Sequence, residues 1–166
     1  MYRTINDFIS DRRDEVSYTT KVFSSVTEGL QKQKPHENIR SAERLAWHIV
    51  QTLTEMGHRA GLFEEDLLEN EQPPATVREI IERYVKLNEL FIENLAKVWS
   101  DSDLEVEIPM YGEMWKKGKL LSVLNAHEAH HRSQLTVVMR LLGMPVPGIY
   151  GPSKEEWAGM GMPAME

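Results

Sequence analysis

The chain has 166 residues, 41% of them hydrophobic and 27% charged, with a formal net charge of −7. That describes one globular domain long enough to bury a core, and its negative charge argues against nucleic acid or an anionic membrane surface as partner. There is no cysteine. Disulfides, thiolate metal sites and a protein-borne thiol nucleophile are therefore excluded. Any metal must sit on nitrogen or oxygen, and any thiol must come from outside. No apolar run approaches the roughly 18 residues of a membrane-spanning helix, and the start, Met1-Tyr-Arg-Thr, carries no apolar leader. A cytoplasmic protein is expected.

The first helical stripe runs roughly from Thr4 to Leu30, with Ile5, Phe8, Thr19, Val22, Phe23, Val26 and Leu30 on one side. Arg12 and Glu15 interrupt that side, which predicts that its first half faces an interface or a cavity. Residues 31–40, with Pro35, read as a loop. Ser41 is a suitable N-cap for a second helix, in which Leu45, His48, Ile49, Thr52, Leu53 and Met56 follow at core spacing. Gly57 and Gly61 weaken its continuation, and Leu62 to Asn70 could add a short helical piece before the break at Gln72-Pro-Pro.

A third helix starts at the capping box Thr76-Val-Arg-Glu79 and turns Val77, Ile80, Ile81, Tyr84, Asn88, Phe91, Leu95 and Val98 inward. Residues 101–118 are not helical, although 106–112 could hold a short extended stretch. The last helix runs from about Lys119 to Leu142, closed by Gly143 and Pro145. No segment shows sustained period-2 alternation. The expected fold is all-α, a four-helix bundle over residues 1–143. It is followed by a Gly-, Pro- and Met-rich tail, 144–166, packed on the bundle or loosely ordered.

His127 and His131 lie four residues apart in the last helix, so they share a face about 6 Å apart along the axis. On a helical wheel with His127 at zero, His131 falls at about 40°, among Leu120, Leu124 and Val138. Two imidazoles in a core stripe need partners, and a shared metal ion supplies one. His48 from the second helix would complete a three-nitrogen site with open positions, the arrangement of a catalytic rather than a structural metal. Alone, a histidine on an apolar face is more often a satisfied core residue. Its outer ring nitrogens should meet carbonyls, carboxylates or water. His130 falls at the edge of the stripe and should point away, and His36 and His58 share no site. Asn88 reads as a buried hydrogen-bonding residue or as a group orienting an imidazole. Glu55 lies near the His48 face, but an exposed flank is the simpler reading. Glu128 and Arg132 read as the solvated or interface flank of the last helix. The tryptophans read as packing residues, with Trp115 a candidate pocket wall.

Ser41-Ala-Glu-Arg-Leu-Ala-Trp-His48 resembles the second-helix histidine motif of the DinB/YfiT-like metalloprotein family. His127-Glu-Ala-His-His131-Arg-Ser-Gln-Leu135, followed by Arg140-Leu-Leu-Gly-Met-Pro, resembles its fourth-helix signature. Ser133 departs from the glycine that many relatives carry. The resemblance implies a bundle of up-down-down-up topology, usually a homodimer. It also implies a divalent metal, nickel, zinc or a similar ion, on His48, His127 and His131. Family members of known chemistry include transferases and isomerases using low-molecular-weight thiols such as bacillithiol, mycothiol or glutathione. Others are damage- or stress-induced metalloproteins, so two readings stand. One is a metal-dependent transferase, isomerase or hydrolase activating a bound water or small thiol. The other is a non-catalytic, stress-associated metal-binding dimer.

Overall fold

The computed structural model describes residues 2–164. Helix α1 spans Ile5–Ser24, α2 Ala42–Arg59, α3 Val77–Val98 and α4 Lys117–Leu141. A short hairpin of β1 (Glu107–Met110) and β2 (Glu113–Lys116) precedes α4. Helices α1, α2 and α3 each start on a side-chain cap, whereas α4 follows Lys116 without one. Thr4 and Thr76 make capping boxes with Asp7 and Glu79, and the Ser41 hydroxyl accepts the Arg44 amide. Helices α2 and α4 end on left-handed glycines, Gly61 and Gly143. The following amides, Leu62 and Met144, reach back to the carbonyls of Gly57 and Met139.

Side-chain contacts fix the helix directions. Phe8 meets Phe91 and Phe23 meets Tyr84, so α1 and α3 are antiparallel. Arg12 meets Asn125 and Thr19 meets Glu128, so α1 and α4 are parallel. Trp47 lies against Arg83 and Gly57 against Phe91, making α2 and α3 parallel. Leu45 and Val138 line one cleft while Met56 and Val123 line another, so α2 and α4 are antiparallel. The bundle is up-down-down-up.

Four local expectations need correction. Helix α1 stops at Ser24 rather than Leu30. The Ser25 hydroxyl binds the Lys21 carbonyl, and Gly29 is left-handed. Val26 and Leu30 still pack inward, through turns, which is why their spacing looked helical. Residues 62–70 form turns rather than a helical piece, with Leu62, Phe63 and Leu68 buried. Gly57 does not weaken α2. A Cβ there would lie 2.5 Å from the Phe63 ring, so the glycine lets that loop close onto the helix. The 101–118 connection contains a single 3-10 turn, Asp101–Glu105, and a two-stranded hairpin. Its strands are too short to show alternation. Its two turn residues, Tyr111 and Gly112, both have positive φ, as a tight hairpin demands.

Two apolar clusters fill the bundle, one around Trp47, Phe23 and Tyr84, the other around Phe8, Phe91 and Leu120. Between them lies a polar layer. Arg12, fully buried, gives Nη2 to Glu128 at 2.7 Å, Nε to Asn88 at 2.7 Å and Nη1 to Asn125 at 3.0 Å. The second oxygen of Glu128 accepts from Thr19 (2.7 Å) and Tyr84 (2.6 Å). Arg132, also buried, donates to Thr19 at 2.9 Å and pairs with Glu15 at 2.7 Å. Arg12 and Glu15 therefore face an internal network rather than an interface, and Glu128 and Arg132 are core residues rather than a solvated flank. After α4 the chain folds back along α1. Met144 and Val146 are buried, and Tyr150 accepts from Arg132 at 2.6 Å.

Removing one member of a buried ion pair strands its partner's charge, which costs about 3–5 kcal/mol. Glu128→Gln is therefore expected to lower the urea midpoint strongly at an unchanged m-value. A double Arg12→Met, Glu128→Leu variant should recover much of that loss, because two apolar residues leave no stranded charge. Equal loss in the single and double variants would contradict this account.

Candidate metal centre

On the α2 side of this layer lie three histidines. Nε2 of His131 lies 3.2 Å from Nε2 of His48 and 3.1 Å from Nε2 of His127. The three residues offer one ligand atom each, all within 4.8 Å of one another. His131 is buried, whereas His48 and His127 are half-buried at the edge of a cleft. Ligation at about 2.0–2.1 Å places neighbouring nitrogens roughly 3.0–3.4 Å apart, so the spacing suits imidazoles converging on one ion.

Proton placement points the same way. Nδ1 of His131 lies 2.8 Å from Oε1 of Gln134, whose amide nitrogen donates to Nε2 of His130 at 3.0 Å. An amide oxygen only accepts, so His131 carries its proton on Nδ1 and offers a lone pair at Nε2. That single lone pair faces two other imidazole nitrogens. It can accept well from only one of them, and a cation accepting all three lone pairs removes the conflict.

Burial keeps all three imidazoles neutral at pH 7. His48 is pushed down to about 4 by burial first, then by the other two histidines and by Arg40 and Arg44. His127 is lowered by burial and by His131. His131 is lowered by burial, with Gln134 opposing. Neutral imidazole is the form that ligates.

The remaining expectations divide. His130 is exposed and stays outside the triad. His58 contacts the Phe63 carbonyl and His36 the Asn38 amide, so neither joins it. The Nδ1 of His127 is buried with no partner, contrary to the expectation that each outer ring nitrogen would find one. Asn88 orients no imidazole. It accepts from Arg12 and donates to the Tyr84 carbonyl at 2.7 Å. Glu55 is not a free flank. It pairs with Arg59 and accepts from the Tyr111 hydroxyl at 2.6 Å, at the rim of the cleft. That cleft, about 520 Å³, is bounded by His48, His127, Met56, Val123, Tyr111 and Trp115. Trp115 does wall it. Tyr111 was not singled out from sequence, although a bulky residue before Gly112 in a tight turn was the available signal.

Comparisons with known proteins establish the family and the fold. The DinB family model matches residues 1–165, and the chain belongs to the DinB family. It is 34% identical over 164 residues to the uncharacterized protein YrdA of Bacillus subtilis strain 168, covering 99% of this chain and 98% of that one. A DinB-like protein from Bacillus cereus ATCC 10987 superposes with a TM-score of 0.83 at 32% identity, covering 90% of this chain and all of that one. The DinB-like protein YjoA of Bacillus subtilis shares the fold, with a TM-score of 0.68 at 19% identity over 86% of this chain and 97% of that one.

The lowered imidazole pKa makes the metal-free protein acid-sensitive, and the sign follows from linkage. Unfolded histidine takes up a proton below about pH 6.5, whereas folded His48 does so only near 4. The unfolded state thus binds more protons in that window. The stability associated with neutral His48 is complete above about pH 6.5 and is lost as pH falls through 4. Urea midpoints of metal-free protein should decline across that window, and less steeply in His48→Gln. Identical profiles for the two proteins would refute the assignment.

Proposed function

We propose that the protein is a divalent-metal-dependent enzyme with His48, His127 and His131 as the metal ligands. The observation that carries this reading is the convergence of three neutral Nε2 atoms beside an accessible cleft. Imidazole-only ligation suits nickel, zinc, copper or ferrous iron and suits calcium or magnesium poorly. Nickel and zinc are the proposed occupants. Such an ion supplies Lewis acidity that draws the proton from a water or small thiol near neutral pH.

The chain's own residues supply the rest. Gln134 holds the His131 tautomer. Met56, Val123 and Trp115 give the cleft an apolar wall that shields a reactant from water, and Thr52 and Glu55 supply polar groups at its side and rim. With no cysteine in the chain, a thiol nucleophile would be a low-molecular-weight cosubstrate. The proposed chemistry is therefore transfer, isomerisation or hydrolysis on a small molecule. The cleft favours this over the alternative, a stress-associated metal-binding dimer without turnover, because a purely structural site has no use for an opening. A cytoplasmic homodimer completes the proposal. No helix among the described residues is long and apolar enough to cross a membrane, and light scattering should give the mass of two chains.

Protein prepared without an affinity tag should contain about one transition metal per chain by elemental analysis. His127→Ala and His48→Ala should lose it, whereas Glu55→Gln should keep it. Metal-loaded protein mixed with small thiols and electrophiles should consume thiol, and His127→Ala should not. Full metal content in the histidine variants would sink the ligand assignment. Intact metal without thiol consumption or hydrolysis over a broad substrate panel would favour the non-catalytic dimer.

A further inference from the structure

The triad is served from two sides, and the sides differ in charge. The cleft at His48 and His127 is bordered by Glu55, Asp66 and Glu69, with no lysine or arginine among its lining residues. A second cleft, about 560 Å³, opens at His131 and is lined by Asn38, Arg40, His130, Ser133 and Gln134 beside an apolar floor. It has no carboxylate in its lining. In a chain with 26 acidic and 19 basic residues, a cleft free of acid beside three imidazoles is an uneven use of charge.

Arg40 is its only lysine or arginine, and no ion pair among the described residues includes it. Residue Arg40 immediately precedes the Ser41 N-cap, so its charge adds to the positive end of the α2 dipole. It shares the lining of this cleft with His131. Asn38 and Ser133 add side-chain donors to the same lining. A planar guanidinium with nearby amide and hydroxyl donors matches a carboxylate.

We propose that the Arg40 cleft is an anion subsite, holding the carboxylate end of a small molecule whose other end reaches the histidine triad. This deepens the proposed function and rests on it for the second half of that statement. It assigns the anionic reactant to one side of the triad and leaves the acid-rimmed cleft for a neutral or cationic one.

Three thiols of similar size and different charge separate the ideas: 3-mercaptopropionate, 2-mercaptoethanol and cysteamine. Each is titrated into the cobalt-loaded full-length protein, followed by thiolate-to-cobalt charge-transfer absorption. The anionic thiol should saturate at about tenfold lower concentration than the neutral one, with cysteamine weakest. Arg40→Gln should abolish the anionic advantage and leave 2-mercaptoethanol unchanged. No advantage in the wild type, or an advantage that survives in Arg40→Gln, overturns the subsite. Binding that weakens as protein concentration rises also overturns it, by assigning the cleft to a second copy of the chain.

If no thiol perturbs the cobalt spectrum, the thiol reading of function fails and the subsite is decided separately. Succinate and inorganic phosphate are then titrated into metal-free protein while the amide signals of Ile39, Arg40 and Gln134 are followed by NMR. Shifts with succinate that vanish in Arg40→Gln support a carboxylate subsite. Shifts with phosphate alone, or none with either, overturn it.

Discussion

The arrangement of this bundle depends on one buried ion pair, Arg12 with Glu128. A charged pair in a core does little for net stability, since desolvation consumes most of the Coulomb gain. What it does is restrict the alternatives. Arg12 has each of its donor nitrogens engaged by a different group, on α3 and α4, and both Glu128 oxygens are occupied. Rotating α4 by one position would strand a guanidinium and a carboxylate together. The apolar clusters above and below would tolerate such a shift far better, because leucine against phenylalanine has no single partner.

That restriction determines where the histidines point. On the α4 wheel with His127 at zero, the buried positions centre at about 80°, between His131 and Glu128. Glu128 and Arg132 take the α1 and α3 side of the stripe. His131 takes the α2 side, and His127 sits at its edge, where burial ends and the cleft begins. Neighbouring residues of one helix thus divide the labour. Glu128 locks the rotation, and His127 uses the result.

Much of this was legible from residue types at helical spacing. The capping residues at Ser41 and Thr76, the Gly143 stop and the His127/His131 pair announce themselves locally, because each solves a problem within one or two turns of helix, and His48 joined them through its place on an apolar face and the family resemblance. Glu128 and Arg132 did not. A charged residue on a helix is ordinarily solvated, so reading them as a flank shifted the apparent centre of the stripe onto the His127/His131 pair. Only Arg12 and Glu15, charges interrupting the apolar side of α1, hinted that buried partners were needed. The hairpin was hidden for a different reason. Its strands are four residues each, Pro109 sits in one, and the left-handed turn position is held by Tyr111 instead of asparagine or glycine. The Tyr111 side chain binds Glu55 and packs on Trp115 and Arg59, contacts that no local pattern encodes.

The separation of His48 from His127 along the chain has an energetic consequence. Helices α2 and α4 are joined by no short loop, and α3 and the hairpin intervene between them. The three Nε2 atoms can meet only after the crossover from α2 to α3 is made and α4 has settled antiparallel to α2. A metal bound there would add its binding free energy to the folded state alone, since unfolded chains present no such cluster. It would act as a clasp across α2 and α4, an antiparallel pair with a cleft on either side of the triad. The ion network on α1, α3 and α4 needs no metal to be satisfied. The triad on α2 and α4 has two nitrogens competing for one lone pair. The bundle is thus internally complete along one face of α4 and left chemically unfinished along the other, and the unfinished face is the one that opens to solvent.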